Sequence, residues 1–402
     1  MPRESPDVDA TRARLDVGDP LRALTALGVV FVHVIAVSVS RTGYAAELQS
    51  APREYFAVLF GPVGHAFNGL LPSVSVFFVL SGYLLMRPFL RAYLADDPFP
   101  SIVGYLRNRA LRVLPAFWFV LLAAVVLEGT RGDSWTDVLA LAAFAGDFHG
   151  TGFARFVGPC WSLAVEMRFY LLLPLAGLLL IGLGRCLGER TTLAPRIAAA
   201  IVLLAAVLVA STAHAMRVGY GAGFGANAQY IVPGMLLAVL EHAVPRHVRG
   251  SRWAAIAACG LFAGGIVLLL TSRAVQFALG GGAWFSAVVW IACAAIVGGP
   301  LLWQWSGRAA WRILDNRPLH WIGERAYPLF LVHMLVLLSL APLLATGGYV
   351  RTPLVLGPVG LAVSLLVADL IHRWIELPAL RRKRAYVDAP VKVARASTPA
   401  HA

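Results

Sequence analysis

The sequence predicts an all-α, polytopic transmembrane helix bundle of about ten spans with both termini cytoplasmic. Three observations predict it. Hydrophobic residues make up 59% of the 402 residues and charged residues only 14%, where a soluble domain carries about a quarter. Apolar runs of about 20 residues, the length a helix needs to cross a hydrocarbon core, recur along the chain. Connecting segments alternate between rich and poor in Lys and Arg, the pattern that orients spans in a bilayer.

The elements follow in order. Residues 1–20 are polar, of mixed charge, and lack the apolar core of a cleaved leader. They read as a cytoplasmic N-terminal segment before a retained first span. The spans are expected near 21–40, 69–87, 112–128, 161–183, 197–214, 227–243, 253–271, 283–303, 326–346 and 353–375. Segment 135–146 is apolar but short. With ten spans, 25 basic residues fall on the cytoplasmic side and 7 on the other. A crossing at 135–146 would carry the later Arg clusters outward, so that segment reads as a short helix or re-entrant piece. The two longest outer loops, 41–68 and 129–160, are rich in Gly, aromatic and polar residues, including His65, Asn68, Asp147 and His149. Residues 21–376 form the transmembrane domain. Residues 377–402 are basic, then Ala-, Pro-, Ser- and Thr-rich, the composition of a disordered cytoplasmic tail.

Composition also excludes functions. The net charge of +13 is topological signal in such a chain, so no nucleic-acid partner is expected. The four cysteines form no CxxC or Cys/His pattern, so neither a metal site nor a disulfide is implied. There is no phosphate loop, no HExxH and no GxSxG elbow.

Candidate chemistry lies in the spans. Arg22 opens the first span and His33 follows eleven residues on, about 16 Å along the axis. An ionisable group at that depth is costly and faces a protein cavity or water. Glu166, five residues into the fourth expected span, is placed at similar depth, where a carboxylate could orient His33 and raise its basicity. The alternative is a structural polar clamp between helices. Arg22, Arg87, Arg107, Arg109 and Arg112 gather at the inner ends of the first three spans. Positive-inside bias explains such a cluster, and so does a site for a cytosolic phosphate-bearing ligand. Ser81-Gly82 lies close above it, small enough for a thin ligand arm or another helix. Tyr327 suits either an aromatic belt or a ligand contact. His333, about 10 Å into the ninth span, is a further buried ionisable group without an assigned role.

Six pieces of the chain then resemble the acyltransferase-3 family of bacterial integral-membrane O-acyltransferases, which includes O-antigen and macrolide acyltransferases. They are Arg22-x10-His33 in LRALTALGVVFVH, VSVFFVLSGYLL at 74–85, LRNRALRVLPAFW at 106–118, WSLAVEMRFYLLLP at 161–174, AYPLFLVH at 326–333 and WIELP at 374–378. They run in the family's order and span nearly the whole chain. One corner departs: Pro72-Ser73-Val74-Ser75-Val76 stands where the family has Gly-Val-Asp or Gly-Val.

The resemblance implies ten spans, an acyl-CoA donor from the cytoplasm with no tightly bound cofactor, and an acceptor hydroxyl on a sugar or macrolide-like molecule. Acetyl is the default acyl group. By match, His33 and Glu166 are the catalytic residues. Arg22, Arg109, Arg112, Ser81 and Tyr327 are assigned to the donor, and no metal is implied. The short stretch after Arg384 leads to the expectation of a stand-alone membrane domain in a bacterial plasma membrane. The rival class is a multi-span transporter or flippase with no acyl chemistry. Buried His and Glu suit such a carrier, but inverted-repeat symmetry and paired broken helices are not evident.

Overall fold

Hydrocarbon offers no partner to a bare peptide group, so a chain this apolar must satisfy its backbone inside each segment. The computed structural model of the protein does so with helices. It describes residues 18–41, 69–95, 97–146, 148, 153–188, 192–218, 223–243, 248, 250–278, 283–308, 311, 313–344 and 351–384. His65, Asn68, Asp147, His149 and the tail beyond 384 lie outside the described residues.

The helices are α1 (Gly18–Arg41), α2 (Val74–Leu94, after a 3-10 turn at Leu71–Ser73), α3 (Ile102–Glu128) and α4 (Trp135–Ala142). A 3-10 segment, Phe153–Cys160, leads into α5 (Trp161–Leu187). Then come α6 (Leu193–Val218), α7 (Gly223–Ala243), α8 (Arg252–Leu270), α9 (Ser272–Ala278) and α10 (Ala283–Trp305). The chain ends with α11 (Arg317–Glu324), α12 (Ala326–Leu344) and α13 (Arg351–Ile371), whose last turn widens into a π turn at His372–Glu376 before α14 (Leu377–Leu380). Among the described residues there is no strand.

Ten of these helical stretches are long and apolar enough to cross a membrane. They coincide with the ten expected spans, the architecture of a multi-pass membrane protein. Residues such as Leu122, Val126, Val202, Val209 and Val267 are exposed on the bundle exterior, where a bilayer rather than water suits them. α4 has only eight residues, about 12 Å of helix and too short to cross. Its end lies beside α3, where the indole of Trp118 donates to the Ala142 carbonyl.

Two boundaries differ from expectation. α3 begins at Ile102, so Arg107, Arg109 and Arg112 ride on the helix instead of a loop. Arg109 and Arg112, three residues apart, share a face. The fourth span is preceded by Phe153–Cys160, whose Phe153, Phe156, Pro159 and Cys160 are buried. The crossing stretch therefore runs over Phe153–Leu187, and Trp161 starts inside the bundle instead of at its rim.

Lipid tails are as apolar as the helices, so helix association depends on close packing and a few polar contacts. The α2–α7 crossing shows this. A Cβ on Gly82 would lie 2.1 Å from the Ile231 carbonyl oxygen, and one on Gly234 would lie 1.9 Å from that of Val79. Each glycine seats the other helix's backbone. Gly82 thus admits a helix, one of its two expected uses. At the α1–α11 contact a Cβ on Gly323 would meet the Asp19 carbonyl oxygen at 2.0 Å, which clamps α1 beside Arg22.

Polar contacts tie the same elements. The Arg87 guanidinium pairs with Glu241 at 3.0 Å, and the Tyr83 hydroxyl donates to the same carboxylate at 3.1 Å. Arg325 donates to Asp369 at 2.6 Å, joining the α11–α12 junction to α13, and Arg373 adds a contact at 2.8 Å. These pairs, with Arg22, Arg109 and Arg112, mark one end of the bundle as Arg-rich. α1, α3 and α12 start there.

Gly234→Val should destabilise the protein by about 1–3 kcal/mol or more, because its side chain meets backbone that cannot move aside. Thermal unfolding of the purified variant in detergent should show a lower midpoint than a conservative change at lipid-facing Val209.

Candidate active site

α1 connects two polar zones. The first surrounds its Arg-rich end. Arg22 donates to Asp19 at 2.7 Å and lies within electrostatic range of Arg112 and Glu166. Ser81 on α2 donates to the Glu166 carboxylate at 2.6 Å. Tyr170, one turn beyond Glu166, lies within electrostatic range of the same carboxylate. Arg112 pairs with Glu376, which is 1% exposed and also accepts from His372 Nδ1 at 2.7 Å. The π turn allows this: its wider winding faces both His372 and Glu376 inward. The Tyr327 hydroxyl donates to the Val113 carbonyl at 2.7 Å, with Arg112 over its ring at 5.6 Å. Tyr327 is thus an interior residue joining α12 to α3, not a belt residue at the rim.

Arg109 differs from its neighbours. Its guanidinium lies 5.8 Å from the Tyr105 ring and 5.9 Å from the Tyr170 ring. Its buried Nε has no hydrogen-bond partner. Among the described residues no carboxylate pairs with it. Arg22 and Arg112 each have a carboxylate; Arg109 is a cation held between two rings with capacity for an anion.

The second zone is deeper. His33 Nδ1 is 2.8 Å from the Val29 carbonyl oxygen, four residues earlier. His333 Nδ1 is likewise 3.2 Å from the Leu329 carbonyl oxygen. The rings then meet: His333 Nε2 is 3.3 Å from His33 Nδ1, with centroids 5.0 Å apart and planes at 58°. His333 is fully buried and packs against Phe330 at 5.9 Å.

These contacts set the tautomers by elimination. A carbonyl only accepts, so each Nδ1 carries a proton. Neutral His333 then has a bare Nε2, which accepts a share of the His33 Nδ1–H. The bare nitrogen of His33 is Nε2, and it is free of hydrogen-bond partners among the described residues. Protonation of that nitrogen gives an imidazolium whose Nδ1–H already has two acceptors, Val29 O and His333 Nε2. The pair is built to take up one proton at one defined atom.

The expected partnership of His33 with Glu166 is not what the structure shows. Glu166 bonds Ser81, in the first zone beside Tyr170, while His33 meets His333. The cause is the buried 3-10 segment: eight residues enter before Trp161, which carries Glu166 past the depth of His33 toward the Arg-rich end. The orienting group is on α12, and its signal was present in the sequence as a second buried His about 10 Å into a span. Glu376 is a site residue that the sequence reading leaves out, because it falls one residue beyond the expected last span, 353–375, and only the longer helical stretch Arg351–Leu380 takes it in.

Comparison with known proteins decides the family. The model of the acyltransferase-3 family, described as an acyltransferase domain, matches residues 19–373. The chain belongs to this family. A Bacillus subtilis protein, YrhL, whose name provisionally assigns it peptidoglycan O-acetyltransferase activity, is 27% identical over 345 residues, 77% of this chain and 50% of its own length. The peptidoglycan O-acetyltransferase OatA of Listeria monocytogenes is 26% identical over 345 residues, 79% of this chain and 52% of its own. The chain thus spans about half the length of these curated relatives. No solved structure matches it at a significant level. The ten residues between Arg22 and His33 lie along α1, which links the two zones.

Removing Arg112 would leave Glu376 buried with only His372 for charge. Arg112→Ala should therefore cost about 2–4 kcal/mol, between the values for exposed and fully buried pairs. Arg109→Ala, which breaks no ion pair among the described residues, should leave the thermal midpoint within about 2 °C of wild type. Thermal unfolding of both variants side by side checks the contrast.

Proposed function

We propose that the protein is a membrane O-acyltransferase that moves an acyl group, acetyl by default, from acyl-CoA to a carbohydrate hydroxyl. The observation that carries this reading is the His33–His333 pair, with one free basic nitrogen, placed about 16 Å along α1 from an Arg-lined end. The Arg-rich face is cytoplasmic and the membrane is a bacterial plasma membrane. Phosphates of the donor bind there, with Arg109 as the cation whose anion is missing and Arg22 and Arg112 beside it. A pantetheine-length arm then reaches past Ser81 and Tyr327 toward the histidines. That the two relatives are named as peptidoglycan O-acetyltransferases supports a sugar acceptor and an acetyl group.

The chemistry follows from the tautomers. The acceptor hydroxyl gives its proton to His33 Nε2 as its oxygen forms a bond to the thioester carbonyl carbon. The developing imidazolium is held by the Val29 carbonyl and by His333 Nε2. The carbon–sulfur bond breaks and the electron pair leaves with sulfur. The thiolate takes the proton from His33, so CoA departs as thiol and His33 returns to its neutral state. His333 is a positioning residue here: it fixes the His33 tautomer and shares the positive charge without touching substrate. Glu166 acts in the donor zone, where it holds Ser81, and not as the partner of His33.

The test is acceptor-dependent release of CoA thiol from acetyl-CoA by purified protein. His33→Ala should abolish release while the protein still inserts and keeps its thermal midpoint. His333→Ala should lower kcat by about 10²-fold, the lower end of what general-base catalysis contributes, with little change in the KM for acetyl-CoA. Arg109→Ala should do the reverse, raising that KM with kcat nearly kept. Wild-type turnover by His33→Ala would overturn the mechanism. Solute movement in liposomes without CoA release would favour a carrier.

A further inference from the structure

α4 turns back along α3. α3 ends at Glu128, at the end of the bundle opposite the Arg-rich one, and α4 begins at Trp135. Where α4 stops, the Trp118 indole donates to the Ala142 carbonyl at 3.1 Å and Phe144 stacks on Phe117 at 4.4 Å. Trp118 precedes Glu128 by ten residues of helix, about 15 Å along the axis. α4 is therefore re-entrant, the second of its two expected forms. Ser134, Thr136 and Asp137 are exposed at its start, as suits water or headgroups, and its end reaches the edge of the hydrocarbon.

A helix that stops there must cap its last carbonyls from within the protein. The Ala140 carbonyl accepts from the Ala145 and Gly146 amides, and the Leu141 carbonyl from the Phe144 amide. This is a helix stop that ordinarily puts glycine at the left-handed position, yet Phe144 occupies it at φ +58°. The stack on Phe117 supports that conformation. The Phe144 carbonyl then accepts from Arg168 of α5 at 3.4 Å.

Arg168 is exposed on the bundle exterior, and Leu171, Leu172 and Leu175 are exposed on the turns that follow it. Helical side chains lean toward the N-terminus. The stretch leading into α5 starts beside the α3–α4 turn, where the Phe153 amide donates to Asp133 at 2.8 Å. The guanidinium thus leans toward the membrane surface while the leucines run toward the bilayer centre. One neutral carbonyl uses one of its five N–H donors, and no carboxylate pairs with it among the described residues. A lipid-facing cation with open donors needs an anion or water. A cation above a strip of exposed leucines matches a molecule with an anionic head and apolar chains, and the fork of a guanidinium suits a phosphate.

We propose that Arg168 and the end of α4 form a lateral site for an anionic phospholipid. Its phosphate sits on Arg168 and its chains lie along Leu171, Leu172 and Leu175, in the leaflet opposite the Arg-rich end. The site stands apart from both catalytic zones and does not depend on the acyl-transfer reading.

Native mass spectrometry of the full-length protein in detergent counts the bound lipid. The protein is given phosphatidylglycerol and phosphatidylcholine of the same chains in equal amounts. Wild type should hold phosphatidylglycerol about tenfold over phosphatidylcholine as its first lipid, roughly the value of one charge-assisted contact. Arg168→Gln, whose amide can still donate to the Phe144 carbonyl, should lose that preference, and Arg168→Lys should retain it. Leu172→Glu leaves Arg168 in place but gives it a carboxylate one turn away, and should abolish the preference as well. Arg109→Ala should leave it unchanged. In phosphatidylcholine nanodiscs, added phosphatidylglycerol should raise the thermal midpoint of wild type and not that of Arg168→Gln. Equal retention of the two lipids by wild type would overturn the proposal. So would a preference that survives Arg168→Gln or Leu172→Glu, which would leave Arg168 only the cap of α4. A preference lost in Arg109→Ala would place the lipid at the Arg-rich end and overturn it too.

Discussion

A polar atom inside hydrocarbon has no water to fall back on, and that constraint organises this molecule. Thr25 and Ser38 return their hydroxyls to carbonyls four residues earlier, at 2.7 Å each. His33 and His333 use the same device, but an imidazole has a second nitrogen. Satisfying Nδ1 locally leaves Nε2 over. At His333 the surplus nitrogen meets the neighbouring ring, and at His33 it is left for something else. The same rule that keeps a membrane helix intact thus yields a base with a defined proton-accepting atom.

Charge is handled by the same logic at the Arg-rich end. Arg22, Arg87, Arg112 and Arg325 each face a carboxylate, as expected where an unpaired ion is costly. Against that background Arg109 stands out, because its environment is two tyrosine rings and no carboxylate among the described residues. Positive-inside bias and ligand binding, inseparable as readings of a row of arginines, become separable once each has a partner or lacks one.

Backbone proximity provides the remaining rigidity. Gly82 and Gly234 bring α2 and α7 close enough for carbonyl contact, and Gly323 does so for α11 against α1. These crossings hold Ser81 against Glu166 and Arg22 beside Asp19. The positions of the polar residues depend on where no side chain intervenes as much as on the polar contacts themselves.

The number and location of spans were legible in the sequence, because crossing a bilayer requires a local apolar run of set length and the Lys/Arg bias is counted loop by loop. The shortness of segment 135–146 was legible on the same terms. His33 and Arg22 could be singled out because cost in hydrocarbon is a property of residue and depth. Partnership could not be read this way. A helix starting at the membrane rim puts Glu166 at the depth of His33. The buried turns at Phe153–Cys160 shift it, and nothing in an apolar run tells a rim from a re-entrant approach. His333 lies 300 residues from His33, and Glu376 needs a π turn to reach Arg112. Local composition determined which residues could not be left alone in the membrane. Only the packing of α1 against α12, and of α3 against the end of α13, decided which residues would meet them, because contact between distant helices is set by crossing geometry and not by any property of either segment.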